Sequence, residues 1–290
     1  MAGSSISHLS YSVMGELQMD LVNPDCIFEV KNLSFDYPGK IPALRKINFT
    51  IYPGDRVALL GANGSGKSTL LRILDGLSFP SEGDIIAFGR KLSERSLKER
   101  NFTSGFRRKV GLVFQDSDVQ LFCPTVWDEV TFGPLQLGIT REQVITRARE
   151  ALELMGISHL KDRPPYLLSG GEKKKVSIAS VLSIQPSVLL MDEPTSGLDP
   201  RSQGILIDFL LQWSGEGKTL IFSTQDLDIV EEIASRAIVM DSQHGVIADG
   251  DPTKFLDDAE FLTQTNLIHI HSHRHKILQH SHPHLHEHEH

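Results

Sequence analysis

Short apolar runs recur along the chain, each bounded by polar or turn residues. Four of them have the length and composition of buried core strands: Val57–Leu60, Val188–Met191, Thr219–Phe222 and Ala237–Met240. Nearer the start, shorter runs are separated by Pro-Gly turns at Pro38–Gly39 and Pro53–Gly54. These shorter runs predict an antiparallel β edge region, and they are Phe28–Val30, Leu33–Phe35 and Ile47–Ile51.

Helical spacing occupies much of the chain between these runs. Apolar residues at positions 70, 71, 73 and 74 follow a helical period, and the segment from about Thr125 to Val181 is mostly helical in pattern. We therefore predict an α/β fold with a mainly parallel core sheet, the antiparallel edge region, and an inserted helical lobe at about residues 120–185. The predicted domain covers residues 27–255, between a flexible leader at 1–26 and a C-terminal extension at 256–290.

Composition narrows the class of protein. A chain of 290 residues is long enough to bury a sizeable core. No apolar run reaches the ~18 residues of a bilayer span, and the first part of the chain lacks a secretory or transit pattern, so we expect a cytosolic chain that does not cross a membrane. Cys26 and Cys123 form no Cys-x-x-Cys pair and are expected to be ordinary thiols. The net charge of −8 disfavours a nucleic-acid partner.

A glycine-rich segment follows the first core strand. It reads Gly61-Ala62-Asn63-Gly64-Ser65-Gly66-Lys67-Ser68-Thr69 and matches the P-loop pattern. Its glycines let backbone N–H groups curl around phosphate oxygens, and the following helix N-terminus favours an anion. Lys67 is expected to neutralise the β- and γ-phosphates of ATP, and Ser68 to ligate Mg²⁺.

A second motif completes the phosphate chemistry. The run Val188–Met191 ends in Asp192, the arrangement called Walker B, which brings a carboxylate to the carboxyl end of a parallel strand beside the Mg²⁺. Glu193 follows it, where it can act as general base on the attacking water. Together with the P-loop, the pair predicts hydrolysis of ATP.

With these motifs, residues 27 to 255 resemble the ATP-binding cassette (ABC) ATPases. The diagnostic segment is Leu168-Ser169-Gly170-Gly171-Glu172, the family signature. The resemblance implies a homodimer in which Ser169, Gly170 and Gly171 contact the γ-phosphate of ATP bound to the opposite subunit. It also implies roles for three further residues: Tyr37 stacks on adenine, Gln115 touches Mg²⁺ and the attacking water and senses the membrane subunit, and Asp199 belongs to the dimer-interface loop 196–199.

One position departs from the family pattern. The family usually has a histidine after the strand Thr219–Phe222, where it hydrogen-bonds the γ-phosphate, and this chain has Gln225. A glutamine can still donate a hydrogen bond, but it cannot carry positive charge or move a proton. We expect slowed hydrolysis with ATP binding retained. The substitution is either natural in this subfamily or a deliberate change that traps ATP.

Residues beyond the nucleotide motifs indicate a transported substrate. Gln120-Leu121-Phe122 and Phe132-Gly133-Pro134 resemble the ATPases of energy-coupling-factor importers, which take up vitamins or nickel and cobalt ions. The resemblance implies integral membrane transporter subunits as separate chains and a location on the cytoplasmic face of the cell membrane. A vitamin importer is the alternative to a metal importer. A soluble ABC ATPase acting on DNA or ribosomes is a third interpretation, and the single cassette without basic arms argues against it.

The end of the chain is rich in histidine and favours metal over vitamin. Ten of the thirteen histidines lie there: His269, His271, His273, His275, His280, His282, His284, His286, His288 and His290. Neutral imidazoles at every second position suit transition-metal ions, and Ni²⁺ or Co²⁺ follows from the subgroup resemblance. A purification tag is the other interpretation, but other residues interrupt the histidines, whereas a tag is normally an unbroken run. Metal storage, metal sensing and chance composition are the alternatives to metal as the cargo.

Overall fold

The computed structural model describes residues 26–267, 269–274 and 279–284, with side chains described for residues 26–267. Twelve strands lie in these residues: β1 Phe28–Tyr37, β2 Ile41–Ile51, β3 Arg56–Leu60, β4 Glu82–Ala87, β5 Arg90–Lys91, β6 Val110–Val113, β7 Val188–Asp192, β8 Thr219–Ser223, β9 Arg236–Met240, β10 Val246–Gly250, β11 His269–Arg274 and β12 Gln279–His284. The α-helices of the same residues are α1 Lys67–Leu74, α2 Glu94–Leu97, α3 Arg100–Lys109, α4 Val126–Gln136, α5 Arg141–Leu154, α6 Gly170–Leu182, α7 Pro200–Gly215, α8 Leu227–Ile233, α9 Thr253–Leu256 and α10 Ala259–Gln264.

The core sheet has six strands in the order β10-β9-β3-β8-β7-β6. All neighbours from β9 to β6 pair in parallel, and only β10 pairs antiparallel, at the edge. The prediction of a mainly parallel core sheet is confirmed. In parallel sheets the carboxyl ends of adjacent strands share one edge, so the segments after β3, β6, β7 and β8 lie close together.

The antiparallel region forms a sheet of its own, in the order β2-β1-β4-β5. The Pro-Gly turns lie where the sequence predicts them, between β1 and β2 and between β2 and β3. Strands β4 and β5, which complete this sheet, were not predicted from the sequence, and neither were the short strands β6 and β10. Register shifts interrupt the pairing of β1 with β2 and with β4, which breaks the simple alternation of buried and exposed positions.

Both faces of β3 are buried. Val57 and Leu59 belong to the apolar cluster shared with the antiparallel sheet and α1, whereas Ala58 and Leu60 belong to the cluster shared with α4 to α8. A strand buried on both faces reads as a continuous apolar run, which is why this strand is so visible in the sequence. The P-loop therefore starts from a strand held on both sides.

Helices α4, α5 and α6 follow β6 and precede β7 in the sequence, where the inserted helical lobe is predicted. They pack on one another. Among the helices that the structure describes, none has the length and apolarity required to cross a lipid bilayer.

The last two strands, β11 and β12, pair antiparallel as a separate sheet. Of the predicted metal-binding histidines, His275, His286, His288 and His290 lie outside the described residues.

Candidate functional site

A cavity of about 450 Å³ lies where β3 and β7 end. Ten of its fourteen lining residues belong to the sites predicted from the sequence: Tyr37, Asn63, Gly64, Gly66, Lys67, Ser68, Thr69, Gln115, Asp192 and Glu193. The other four were not predicted: Ile41, Pro42, Ala43 and His244. The chain topology therefore brings both phosphate motifs and Gln115 into one cavity.

The P-loop conformation depends on glycine at two positions. Gly66 has φ of 108°, and a Cβ there would lie 2.3 Å from the Ala43 carbonyl oxygen. Gly61 has φ of 147°, and its Cβ would lie 2.5 Å from the Met240 carbonyl oxygen. Any larger residue would push the loop away from its supports. Helix α1 starts directly after Gly66 without a side-chain cap, so its first N–H groups are left for an anionic ligand.

Lys67 and Ser65 have polar atoms that suit a phosphate. The Lys67 ammonium donates to the carbonyl oxygens of Gly61 at 2.6 Å and Ala62 at 3.2 Å, and burial lowers its pKa against the opposing effects of Glu193 and Asp192. The buried Ser65 hydroxyl has no hydrogen-bond partner in the described part of the chain. Buried polar groups normally find a partner, and an oxyanion would supply one here.

The acidic residues lie at the end of β7. The Ser223 hydroxyl at the end of β8 donates to Asp192 Oδ1 at 2.5 Å, and the Glu193 N–H donates to the Ser223 hydroxyl at 3.0 Å. Glu193 has a left-handed φ of 44°. Burial raises the pKa of Glu193 to about 7, partly offset by Lys67, so this carboxylate can accept a proton near neutral pH. Ser223 was missed because a serine at a strand end carries no distinctive sequence signal.

The residues present fit Mg²⁺ and a nucleotide phosphate. The Ser68 hydroxyl, the Asp192 carboxylate and Gln115 line the same cavity as Lys67 and the uncapped start of α1. Oxygen ligands of this kind, combined with phosphate oxygens, are what Mg²⁺ prefers. When bound, Mg²⁺ neutralises negative charge on the phosphates during transfer.

Part of the cavity lining is apolar or aromatic. The Tyr37 hydroxyl hydrogen-bonds Thr69 Oγ1 at 2.9 Å, and its ring packs edge-to-face on Phe35 at 5.1 Å. These contacts orient the ring beside Ile41, Pro42 and Ala43. His244, in the turn between β9 and β10, also lines the cavity, and its Nδ1 has no partner among the described residues.

Gln225 lies outside the lining of this cavity, but it contacts the P-loop. Its amide nitrogen donates to Asn63 Oδ1. Gln225, where the family resemblance predicts a histidine, is therefore held against the P-loop. A neutral amide keeps this contact and cannot supply an imidazolium charge.

The signature residues lie apart from the cavity within one chain. Ser169 and Gly170 are exposed, and Ser169 caps α6 through a reciprocal capping box with Glu172. Asp199 caps α7, accepting from the Ser202 N–H at 3.0 Å, and the hydrogen bonds from Ser202 lower the Asp199 pKa. None of these residues lines the cavity formed by the described part of the same chain.

One buried cation was not anticipated. Lys174, in the second turn of α6, donates to the carbonyl oxygens of Phe114 and Gln115 at 3.0 and 3.3 Å. Burial lowers its pKa to about 8. Lysine after a helix start ordinarily indicates a solvated surface, so the sequence pattern gave no reason to single it out.

The family model for "ABC transporter" matches residues 44–196. The chain belongs to this family. ABC ATPases bind ATP, typically with Mg²⁺, and ATP hydrolysis is the family's reaction.

Three relatives show the similarity along most of the chain. A putative ABC transporter ATP-binding protein of Methanosarcina acetivorans is 53% identical, over 84% of this chain and 89% of the relative. The nickel import ATP-binding protein NikO of Rhodobacter capsulatus is 48% identical, over 83% and 93%. The energy-coupling factor transporter ATP-binding protein EcfA of Methanothermobacter thermautotrophicus is 42% identical, over 83% and 76%.

Solved structures agree with this ABC cassette in fold. That of cbiO1 from Clostridium perfringens, part of the ABC transporter complex cbiONQ, has a TM-score of 0.68 and 37% identity, covering 84% of this chain and 95% of that one. The dimeric post-hydrolysis structure of the ATP-binding cassette MJ0796 with ADP and Pi has a TM-score of 0.70 and 28% identity, covering 78% and 98%.

Proposed function

We propose that this ABC protein is the ATP-hydrolysing subunit that energises import of nickel or cobalt ions through separate membrane subunits. It would act at the cytoplasmic face of the cell membrane. The observation that carries the ATPase part is the convergence of Lys67, Asp192 and Glu193 in one cavity. The cargo rests on the similarity to the nickel import protein NikO and on the histidine-rich tail.

Several residues in and beside the cavity would have roles in this reaction. Lys67 and the N–H groups at the start of α1 hold the β- and γ-phosphates, and Ser68, Asp192 and Gln115 hold Mg²⁺. Glu193 takes the proton of the attacking water, a role that suits a carboxyl group with a pKa of about 7. Ser223 orients both acids through its two hydrogen bonds. Gln225 holds Asn63 and supplies a neutral donor near the γ-phosphate.

Two copies of the chain would form the complete site. The signature residues Ser169, Gly170 and Gly171 of one copy would approach the γ-phosphate bound by the P-loop of the other. Ser169 and Gly170 are exposed and none of the three lines the cavity of its own chain, which supports this arrangement. The dimeric structure of the similar cassette MJ0796 supports it as well. Closure of the dimer on ATP would provide the power stroke.

A groove next to the cavity suits a membrane subunit. It has a volume of about 850 Å³ and lies between α3 and the helices α4 and α6. Apolar and basic side chains line it, among them Leu77, Leu97, Leu112, Lys98 and Arg107. Phe114 also lines the groove, and the next residue, Gln115, lines the ATP cavity. A helix of the membrane subunit seated here would therefore contact the segment that carries Gln115.

The tail would hold transition-metal ions on one side of a hairpin. The backbone register pairs His269 with His284, His271 with His282, and His273 with His280. Residues at every second position share one face of a strand, so this register collects three cross-strand histidine pairs on one face. Such pairs suit Ni²⁺ and Co²⁺, and also Cu²⁺ and Zn²⁺. Among the residues with described side chains, no group of three or more potential ligands is arranged to hold a metal ion.

Transport measurements would test the cargo. The chain would be expressed with the membrane proteins that copurify with it, and uptake of radioactive nickel, cobalt and labelled vitamins would be measured in the same cells. We expect ATP-dependent metal uptake that Glu193→Gln abolishes. Vitamin uptake would instead favour the energy-coupling-factor vitamin importer, the second candidate supported by the similarity to EcfA. Copurification of ribosomes or DNA, without a membrane protein, would overturn the transport function.

Titration of the tail makes a separate test. Full-length protein and a variant ending at Leu267 would be titrated with Ni²⁺, and the variant is expected to lose the high-affinity sites. Exchanging His271 with Ser272 and His282 with Ser281 moves one histidine pair to the other face without changing composition. If this exchange leaves nickel affinity unchanged, the hairpin register has no part in metal binding.

A further inference from the structure

Lys174 is the most deeply buried lysine of α6, with 2% of its surface exposed. Its neighbours Lys173 and Lys175 are only half-buried, and Lys173 forms an ion pair with Asp118 at 2.6 Å. A lysine is rarely buried to this extent unless its ammonium is fully paired. The partners of Lys174 therefore indicate why the chain buries a charge at this position.

Those partners belong to two other elements of the site. The ammonium donates to the carbonyl oxygens of Phe114 and Gln115, which follow β6, and lies 3.4 Å from the carbonyl oxygen of Asp192 at the end of β7. Charged hydrogen bonds are the strong ones, and three of them converge on one atom. The nearby carboxylates of Asp192, Glu193 and Asp116 stabilise the cation.

The same helix carries the family signature at its start. Ser169 is the N-cap of α6, and Gly170 and Gly171 form its first turn, one turn before Lys174. A helix turn is stiff because its backbone hydrogen bonds repeat every turn. A displacement of the signature therefore reaches the ammonium, and through it the backbone of Gln115 and Asp192.

We propose that Lys174 is a positioning residue that couples the signature of one copy to the Mg²⁺-binding and water-activating end of its own ATP site. Contact of Ser169 with ATP on the partner copy would then set the positions of Gln115 and Asp192 in the cavity of the first copy. This coupling rests on the two-copy site proposed above and is independent of the cargo. Lys174 is not among the residues that line the cavity.

The experiment compares substitutions at Lys174 with a matched control on the same helix. Lys174→Met removes the charge and the donors at similar length, Lys174→Gln keeps a neutral donor, and Lys174→Arg keeps the charge. Lys173→Met, which removes only the ion pair with Asp118, is the control. Three quantities would be measured in the full chain: affinity for MgATP, ATP-driven dimerisation in a Glu193→Gln background, and kcat with KM.

We expect Lys174→Met to keep MgATP affinity within about twofold while kcat and ATP-driven dimerisation fall about tenfold to a hundredfold, the loss expected for removing hydrogen bonds to a charged group. Lys174→Arg should recover most of both, Lys174→Gln less, and Lys173→Met should match the unmodified protein. KM should change far less than kcat.

Two results would overturn the coupling. If Lys174→Met dimerises and turns over ATP within about twofold of the unmodified protein, no coupling passes through this residue. If all variants at Lys174, including Lys174→Arg and Lys174→Gln, lose ATP affinity, dimerisation and melting temperature together, the residue only stabilises the fold. Failure of dimerisation in the Glu193→Gln protein and in the Lys173→Met control would instead count against the two-copy site itself.

Discussion

Two helices of this ABC protein begin in opposite ways. Helix α1 starts after Gly66 with no side-chain cap, whereas α6 starts at Ser169 with a reciprocal capping box to Glu172. The first leaves its N–H groups free beside a cavity, whereas at the second the N–H groups of Ser169 and Glu172 are already paired at the surface. An anion can bind the first helix immediately, but it must compete with Glu172 at the second. In the proposed two-copy site, the chain would therefore carry one prepared half, at the start of α1, and one half that is closed by its own side chain, at the start of α6.

The strongest effect on ATP turnover should come from Glu193, the proposed proton acceptor. Glu193→Gln removes the proton acceptor but keeps the size of the side chain, so turnover should fall by about 10²- to 10⁴-fold. ATP should still bind, because Lys67 and the start of α1 are unchanged. Steady-state phosphate release and equilibrium nucleotide binding, measured on the same sample, would check this. Turnover within about tenfold of normal would show that another group activates the water.

Mixing two inactive variants would test whether the P-loop of one copy and the signature of another combine into one working site. Lys67→Ala damages the prepared half, and Gly170→Asp brings a carboxylate to the signature, where an added Cβ meets no atom within 4 Å. Each variant alone should lose about a hundredfold in turnover, since each removes electrostatic stabilisation of the transferring phosphate. Mixed in equal amounts, they should regain activity, because a mixed dimer contains one site with two intact halves.

The control for this mixture is Gly105→Asp on α3, another position where an added Cβ has no neighbour within 4 Å. It should leave turnover unchanged. If the mixture of Lys67→Ala and Gly170→Asp stays as inactive as its components, the two halves do not combine across copies, and the homodimer proposal fails.

The C-terminal end of α1 is followed by a buried carboxyl group, and its protonation should affect the stability of the fold. Asp75 ends this helix, is almost fully buried, and accepts from Arg107 at 2.7 Å. Burial raises its pKa to about 6 from 3.8, against the opposing effect of Arg107. The folded state thus binds this proton more tightly than the unfolded state, so its stabilising contribution is complete below about pH 4 and is lost as pH rises through about 6.

Asp75→Asn should flatten this dependence of the unfolding free energy on pH, which amounts to about 3 kcal/mol at most. Urea denaturation at several values between pH 4 and 8 would measure the slope, with exposed Asp162→Asn as the control. The variant's absolute stability also includes the loss of the charged partner of Arg107, so only the slope tests the prediction. An unchanged slope would show that Asp75 titrates normally in the folded chain.

Gln225 is expected to limit the rate of ATP hydrolysis at the P-loop. Gln225→His restores a group able to carry charge next to the γ-phosphate, and turnover should rise roughly tenfold with ATP affinity little changed. Gln225→Ala, which only removes the bond to Asn63, separates that effect from loosening of the P-loop. If the histidine variant turns over ATP at the unmodified rate, Gln225 does not limit hydrolysis.

The sequence predicts the prepared half far better than the closed one. The P-loop, Asp192 and Glu193 follow continuous apolar strands, and a parallel sheet brings the ends of such strands to one edge. Ser169 and Glu172 were predicted only as part of the family signature. Their capping box, in which Glu172 accepts both hydrogen-bond donors of Ser169, was not predicted. Lys174, Ser223 and His244 act through contacts between segments that are distant in sequence, and such contacts leave no periodic signal. Strands β4, β5 and β10 were not predicted because they are short, partly exposed and contain charged residues.

The weakest of these effects should come from the charge of Glu172 in the capping box of α6. The Ser169 hydroxyl donates to Glu172 Oε2 at 2.9 Å, and the hydrogen bond from the Ser169 N–H keeps the Glu172 pKa below its usual range, so Glu172 is charged. Glu172→Gln retains a capping box, because glutamine serves equally at this position, but removes a negative charge from the path of an incoming phosphate. ATP-driven dimerisation should therefore strengthen by about twofold to fivefold, as expected for one solvated charge.

Size-exclusion chromatography with light scattering, in the Glu193→Gln background and over a range of ATP concentrations, would measure the shift. Glu172→Ala also removes the charge but opens the box, so it should strengthen dimerisation while lowering the melting temperature. High salt should reduce the advantage of both variants, because it screens the carboxylate that they lack. If Glu172→Gln dimerises less readily than the unmodified signature, the carboxylate assists closure. The signature would then be a second prepared half, with Glu172 holding Ser169 in place for the phosphate.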